Sequence, residues 1–137
     1  MKTKSLIKTM FLLIAVMLGS SCSNDNSTAE GDVSLLYNRW WYDSKDTNPA
    51  PDLFFNTTSA FQQHQVISGV SVFYNGTWIW ENQDQKIMKV THDSGTGTST
   101  TIWFQFSGIQ ESGFKVKQST DGITFSNTTL VYRFTNE

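Results

Sequence analysis

Beyond residue 32 the apolar side chains recur at every second position in short runs, and nowhere in the sustained three-and-four spacing of a helix. Successive side chains on a strand point to opposite faces, so an alternating run builds a half-buried strand. The runs are rich in Val, Ile, Thr, Phe, Tyr and Trp, which suit a pleated surface. They fall at 35–43, 52–56, 59–66, 70–82, 86–92, 100–108, 114–119 and 124–135. Turn chemistry separates them: Asn82-Gln83-Asp84, the stretch 94–99 with Gly95 and Gly97, the segment 110–113, and Asp121-Gly122. Asn75-Gly76 offers a further break within 70–82. About eight strands joined by short turns predict an all-β, antiparallel up-and-down meander.

Alternation assigns the faces. Ile102, Phe104 and Phe106 oppose Trp103, Gln105 and Ser107; Phe114 and Val116 oppose Lys115 and Lys117; Leu130, Tyr132 and Phe134 oppose Val131 and Arg133. One face is apolar and the other largely wet, so a sheet of this size must fold on itself or close, and closure removes exposed edges. Residues 33–137 suffice for one domain with one core. Eighteen of the nineteen aromatic residues lie after residue 22 and can fill that core.

The N-terminal part follows different rules. Lys2, Lys4 and Lys8 precede the apolar run 10–18, which gives way to Gly19, Ser20, Ser21 and Cys22. That is the three-part layout of a secretory signal peptide, and nine apolar residues are too few for the roughly 20 that span a bilayer. Leu18-Gly19-Ser20-Ser21-Cys22 resembles the lipobox of bacterial lipoproteins, with the loose spacing of the Bacteroidetes type. The resemblance implies cleavage before Cys22 and acylation of its thiol and new amino group by palmitate-type chains. Cys22 is also the only cysteine, so it has no partner for an intramolecular disulfide. Each buried methylene contributes about 0.8 kcal/mol, and two or more chains make attachment stable. The expected organisation is a signal peptide over 1–21, a lipidated cysteine with a polar tether over 22–32, and a domain over 33–137. Ten flexible residues after Cys22 span about 16–19 Å root-mean-square. The expected address is a bacterial cell envelope, most naturally the outer membrane.

Loss of the three leader lysines leaves seven basic against twelve acidic side chains, a net charge of −5. Readers of nucleic acid or anionic lipid carry basic patches instead, so no nucleic-acid partner is expected.

The strand region has its own resemblance. Leu35-Leu36, then Asn38-Arg39-Trp40-Trp41-Tyr42, then Asn75-Gly76-Thr77-Trp78-Ile79-Trp80, and Tyr132-Arg133-Phe134 on the last run occur in the order found in lipocalin-like domains of Bacteroidetes lipoproteins. These are short relatives of the lipocalin and fatty-acid-binding barrels. The resemblance implies an eight-stranded barrel whose closed end is plugged by Trp40 and covered by Arg133, with Asn38 where the family carries glycine. It also places 43–51, with Asn48-Pro49-Ala50-Pro51, and the 94–99 loop among the rim segments; a plain exposed connection is the alternative.

Chemistry-bearing groups are sparse. His64 and His92 have no acid or cysteine at ligand spacing, and the acids, such as Asp84, Asp93, Glu111 and Asp121, sit mostly at turns. Glu81 beside Trp80 has no partner carboxylate that spacing can name. The expectation is a non-enzyme with no cofactor and no metal. Two functions fit such a barrel. It binds a small apolar or amphipathic ligand, with Trp78, Trp80, Phe104 and Tyr132 as candidate liners. Alternatively it is a solid scaffold whose outer face engages an envelope protein or surface glycan through Trp41 and Trp103, which fall opposite their strands' apolar residues. For every aromatic, a place in the core is the plainer reading.

Overall fold

The structure, a computed structural model, describes residues 31–45 and 47–135; the leader, Cys22, the tether through Glu30, Asp46 and the last two residues lie outside the described residues. A single 3-10 turn, Val33–Leu36, leads into eight strands: β1 Arg39–Asp43, β2 Asp52–Phe55, β3 Ala60–Ile67, β4 Val70–Asn82, β5 Ile87–Asp93, β6 Ser99–Gln110, β7 Gly113–Ser119 and β8 Leu130–Arg133. Each strand pairs antiparallel with the next, and β8 returns to β1, so the sheet is a closed up-and-down barrel. Every strand thus has two neighbours, and closure answers the edge problem that the alternating runs posed.

Several boundaries differ from the sequence reading. The first run, 35–43, is a strand only over Arg39–Asp43, because Val33–Leu36 forms the 3-10 turn. Asn75-Gly76 is no turn; β4 runs straight through it. A Cβ at Gly76 would collide with the Thr91 carbonyl and lie 2.7 Å from His92 Cα. Glycine is there to let β5 approach. The last run shortens to Leu130–Arg133, because 120–129 is a loop held by side-chain bonds from Asp121 and Ser126 rather than a strand. Gly31 and Asp32, expected in the tether, make contacts with the barrel domain. Gly31 donates its N–H to the Ile109 carbonyl, and Asp32 caps the 3-10 turn by accepting from Ser34 N–H.

The interior is one continuous cluster that includes Trp41, Phe55, Phe61, Phe104, Phe106, Phe114 and Tyr132. Its rings meet edge-on or tilted, as in Trp41 with Phe114 and Phe55 with Phe106, while Phe114 and Tyr132 stack at 5.2 Å. Leu36 on the 3-10 turn is fully buried and seals one end of the barrel. Up-and-down order places the loops 44–51, 68–69, 94–98 and 120–129 together at the opposite end.

Candidate functional site

The tryptophan that fills the barrel at β1 is Trp41, not Trp40. In the β1–β2 register Trp41 faces Leu53 and Trp40 faces Phe54. Leu53 and Trp41 are buried, so Trp40 belongs to the outer wall, where it is half-buried. Strand side chains alternate, and a one-residue offset exchanges plug for surface. The cation over the buried ring is Arg39, with Cζ 5.7 Å from the Trp41 centroid and 4.9 Å from that of Phe134. Arg133 stands opposite Tyr42 on the outer wall and donates from Nη2 to the Ser44 carbonyl at 3.2 Å. The plug and cover expected of Trp40 and Arg133 are therefore corrected to Trp41 and Arg39, and Trp41 is withdrawn as an exposed contact.

Trp78, Trp80, Phe104 and Tyr132 do face inward, and their neighbours occupy the space between them. Trp78 stacks on Tyr37 at 5.2 Å and donates its indole N–H to the Asn56 carbonyl. Trp80 donates to the Tyr37 hydroxyl at 2.8 Å and lies edge-on to Phe106. Phe104 packs against Phe55, Phe61 and Phe106. Tyr132 donates to the Pro51 carbonyl at 3.1 Å, and burial, aided by the carboxylates of Asp43 and Asp52, pushes its phenol pKa up.

A recess of about 500 Å³ lies under the 120–129 loop against the inward-facing Ile102 and Gln118, and others open on the outer wall. On the outer wall of β1, β8, β2, β3 and β4 lies a cleft of about 510 Å³, lined by Trp40, Tyr42, His64, Phe73 and Arg133 under the 44–51 loop. Register assembles it: Asp52, His64 and Phe73 lie abreast across β2, β3 and β4. Trp40 meets Phe54, Phe73 and His64 with ring centroids 5.3, 6.1 and 6.3 Å away. His64 Nδ1 lies 2.8 Å from Asp52 Oδ2, a contact that fixes the orientation of the imidazole. The loop is pinned: the Asp43 carboxylate accepts from the N–H groups of Lys45 and Ala50, and Ser44 N–H donates to the Val131 carbonyl. Pro49 thus belongs to a fixed wall of the cleft.

The Asp52–His64 pair was not visible in the chain, where the two are twelve positions apart. A strand register centred on the turn near Thr58 was the only signal that could have found it. The two histidines are not brought together, since His64 is on the outer wall and His92, abreast of Gly76 and near Phe61, faces in. Among the described residues no group of three or more His, Cys, Asp or Glu side chains could hold a metal ion. Trp103 is on the outer wall as expected, but it is half-buried. Its indole donates to Glu81 Oε2 at 2.7 Å, Lys89 Nζ lies 5.3 Å from its ring centroid, and Gly122 backs onto the ring. Among the described residues no helix is long and apolar enough to cross a membrane.

No protein-family model matches this chain, and no curated protein or solved structure is significantly similar to it.

Proposed function

We propose that the chain is a lipid-anchored envelope protein: a solid, lipocalin-like barrel held on a bacterial outer membrane through acylated Cys22 and acting as a non-catalytic interaction module. The observation that carries this reading is the contrast between a barrel interior filled by its own aromatic cluster and a roomy cleft on the outer wall. Eight strands enclose either packed side chains or one small ligand. A small apolar or amphipathic ligand within the aromatic cluster would have to displace Phe104 and Tyr132, each about 1 % exposed.

The cleft's chemistry favours a surface glycan over an apolar molecule. Trp40, Tyr42 and Phe73 offer ring faces for the C–H faces of a sugar, while the Asp52–His64 pair and Arg133 offer polar groups for its hydroxyls. A segment of an envelope protein presenting the same mixture is the second candidate. The barrel's closed end, where Gly31 enters, is the end nearest the anchor in sequence, and the cleft lies toward the other end.

Two measurements test the proposal. Envelope polysaccharide is immobilised and the purified protein passed over it: the parent should be retained and Trp40→Ala should pass through. Equal retention of both would remove the cleft from the account. Separately, Cys22→Ser should leave the membrane fraction; a variant that stays there ends the anchored reading. A stoichiometric apolar molecule extracted from the purified protein would restore the interior ligand instead.

A further inference from the structure

Between Asp52 and Glu81 the chain runs for 28 residues without one Asp, Glu, Lys or Arg. At the middle of that stretch is the β3–β4 hairpin. β2 accompanies β3 only as far as His64, and β5 joins β4 only from Gly76. The ribbon over 65–75 therefore pairs with itself and extends past its neighbours on both sides. At its tip Ser68 and Gly69 both have positive φ, 52° and 80°, the conformation of a tight two-residue hairpin turn.

The ribbon carries large apolar side chains in the open. Val66 is 62 % exposed, Ile67 46 %, Val70 61 % and Phe73 55 %. They do not share a face. Ile67 stands opposite Val70 on one side of the ribbon, while Val66 and Phe73 project from the other. A docked protein surface would cover one face and leave the second wet. A fluid apolar phase covers both. The absence of formal charge removes the groups that are expensive to carry into such a phase. At the ribbon's base Trp40 and Phe54 form an aromatic step beside Phe73, the residue type favoured where hydrocarbon meets water.

We infer that the tip of this hairpin, with Val66, Ile67 and Val70, seats in the outer layer of the same lipid surface that holds Cys22, while Phe73 at the ribbon's base stays with the cleft. The inference rests on the anchored reading above. Reach permits it: the nine steps from Cys22 to Gly31 extend at most about 30 Å, and the eight residues of β3 rise about 27 Å. With the barrel on its side, the anchor at the closed end and the tip at the other can meet one bilayer. Since the mature chain is acidic, zwitterionic lipid suits the contact and anionic lipid opposes it.

The test uses the full acylated protein in phosphatidylcholine vesicles. Ser68→Cys provides the reactive thiol at the tip, and Lys117→Cys, on the far wall of the barrel, serves as control. Each carries a nitroxide whose collisions with oxygen and with a water-soluble nickel chelate are compared. At position 68 oxygen contact should exceed nickel contact, and replacing half the lipid with phosphatidylglycerol should reduce the difference; at 117 nickel should dominate throughout. Nickel dominance at position 68 with one label per chain overturns the hairpin inference and leaves the anchor standing. Strong coupling between labels at 68 that persists on dilution with lipid also overturns it, in favour of a second copy as the occupant. Two labels per chain would reveal an unmodified Cys22 and overturn the anchored reading on which the inference depends.

Discussion

Trp41 donates its indole N–H to the backbone carbonyl of Leu36 at 2.9 Å, tying the first strand to the turn that seals the barrel. Both residues are fully buried, and the Arg39 guanidinium lies against the same ring. Trp41→Ala should therefore cost about 3–5 kcal/mol through lost packing. The neighbouring Trp40→Ala should cost under about 1.5 kcal/mol, because its ring lies on the outer wall. Urea unfolding of the two variants separates them, and equal losses would contradict the facing of β1.

Gly76→Ala should destabilise the domain by about 1–3 kcal/mol, although the residue has ordinary strand geometry. Its added methyl group meets the Thr91 carbonyl and the His92 backbone, and neither can move without parting β4 from β5. Faster amide exchange at Thr91 and His92 should accompany the lower urea midpoint.

Tyr132 sets an alkaline limit. Burial and the nearby carboxylates of Asp43 and Asp52 raise its pKa above the ordinary 10.0. An unfolded chain ionises this phenol near pH 10 while the folded chain keeps it neutral, so its contribution is whole below pH 10 and falls as pH rises beyond it. Thermal unfolding between pH 8 and 11 should show this fall, and Tyr132→Phe should flatten it. The variant also loses the bond to Pro51, worth about 1 kcal/mol at neutral pH.

Asp121 sets an acid limit for one loop. Its carboxylate accepts from the N–H groups of Ile123 and Thr124, each at 2.8 Å, and from the Ser119 hydroxyl. These bonds lower its pKa from 3.8 to about 2. The loop's support is present above pH 3.8 and is lost as pH falls from there through about 2. Hydrogen exchange at Ile123 and Thr124 should accelerate over that window in the parent, and should already be fast at pH 5 in Asp121→Ala.

Much of the architecture was legible in the chain because strand periodicity is a local property. Ile102, Phe104, Phe106, Phe114, Val116 and Tyr132 took the faces that alternation assigned them. The same rule misled at β1, where Trp40, Trp41 and Tyr42 are all aromatic and alternation has no polar partner to orient it. Trp41 faces inward there because its ring meets Phe114 and its N–H finds Leu36, contacts that arise only when the barrel closes.

The sequence by itself determined an antiparallel all-β meander with enough aromatic mass to fill one core, and an N-terminal segment in which lysines and an apolar run precede a single cysteine. Those properties depend on composition and on residues a few positions apart. Only the tertiary structure decided which side of β1 is interior, that Asp52 meets His64, that the aromatic core packs upon itself, and that the β3–β4 ribbon outruns its neighbours. Each of these depends on the register between strands. Register is set jointly by turn geometry, bulges and the closure of eight strands, so it cannot be read from any one of them.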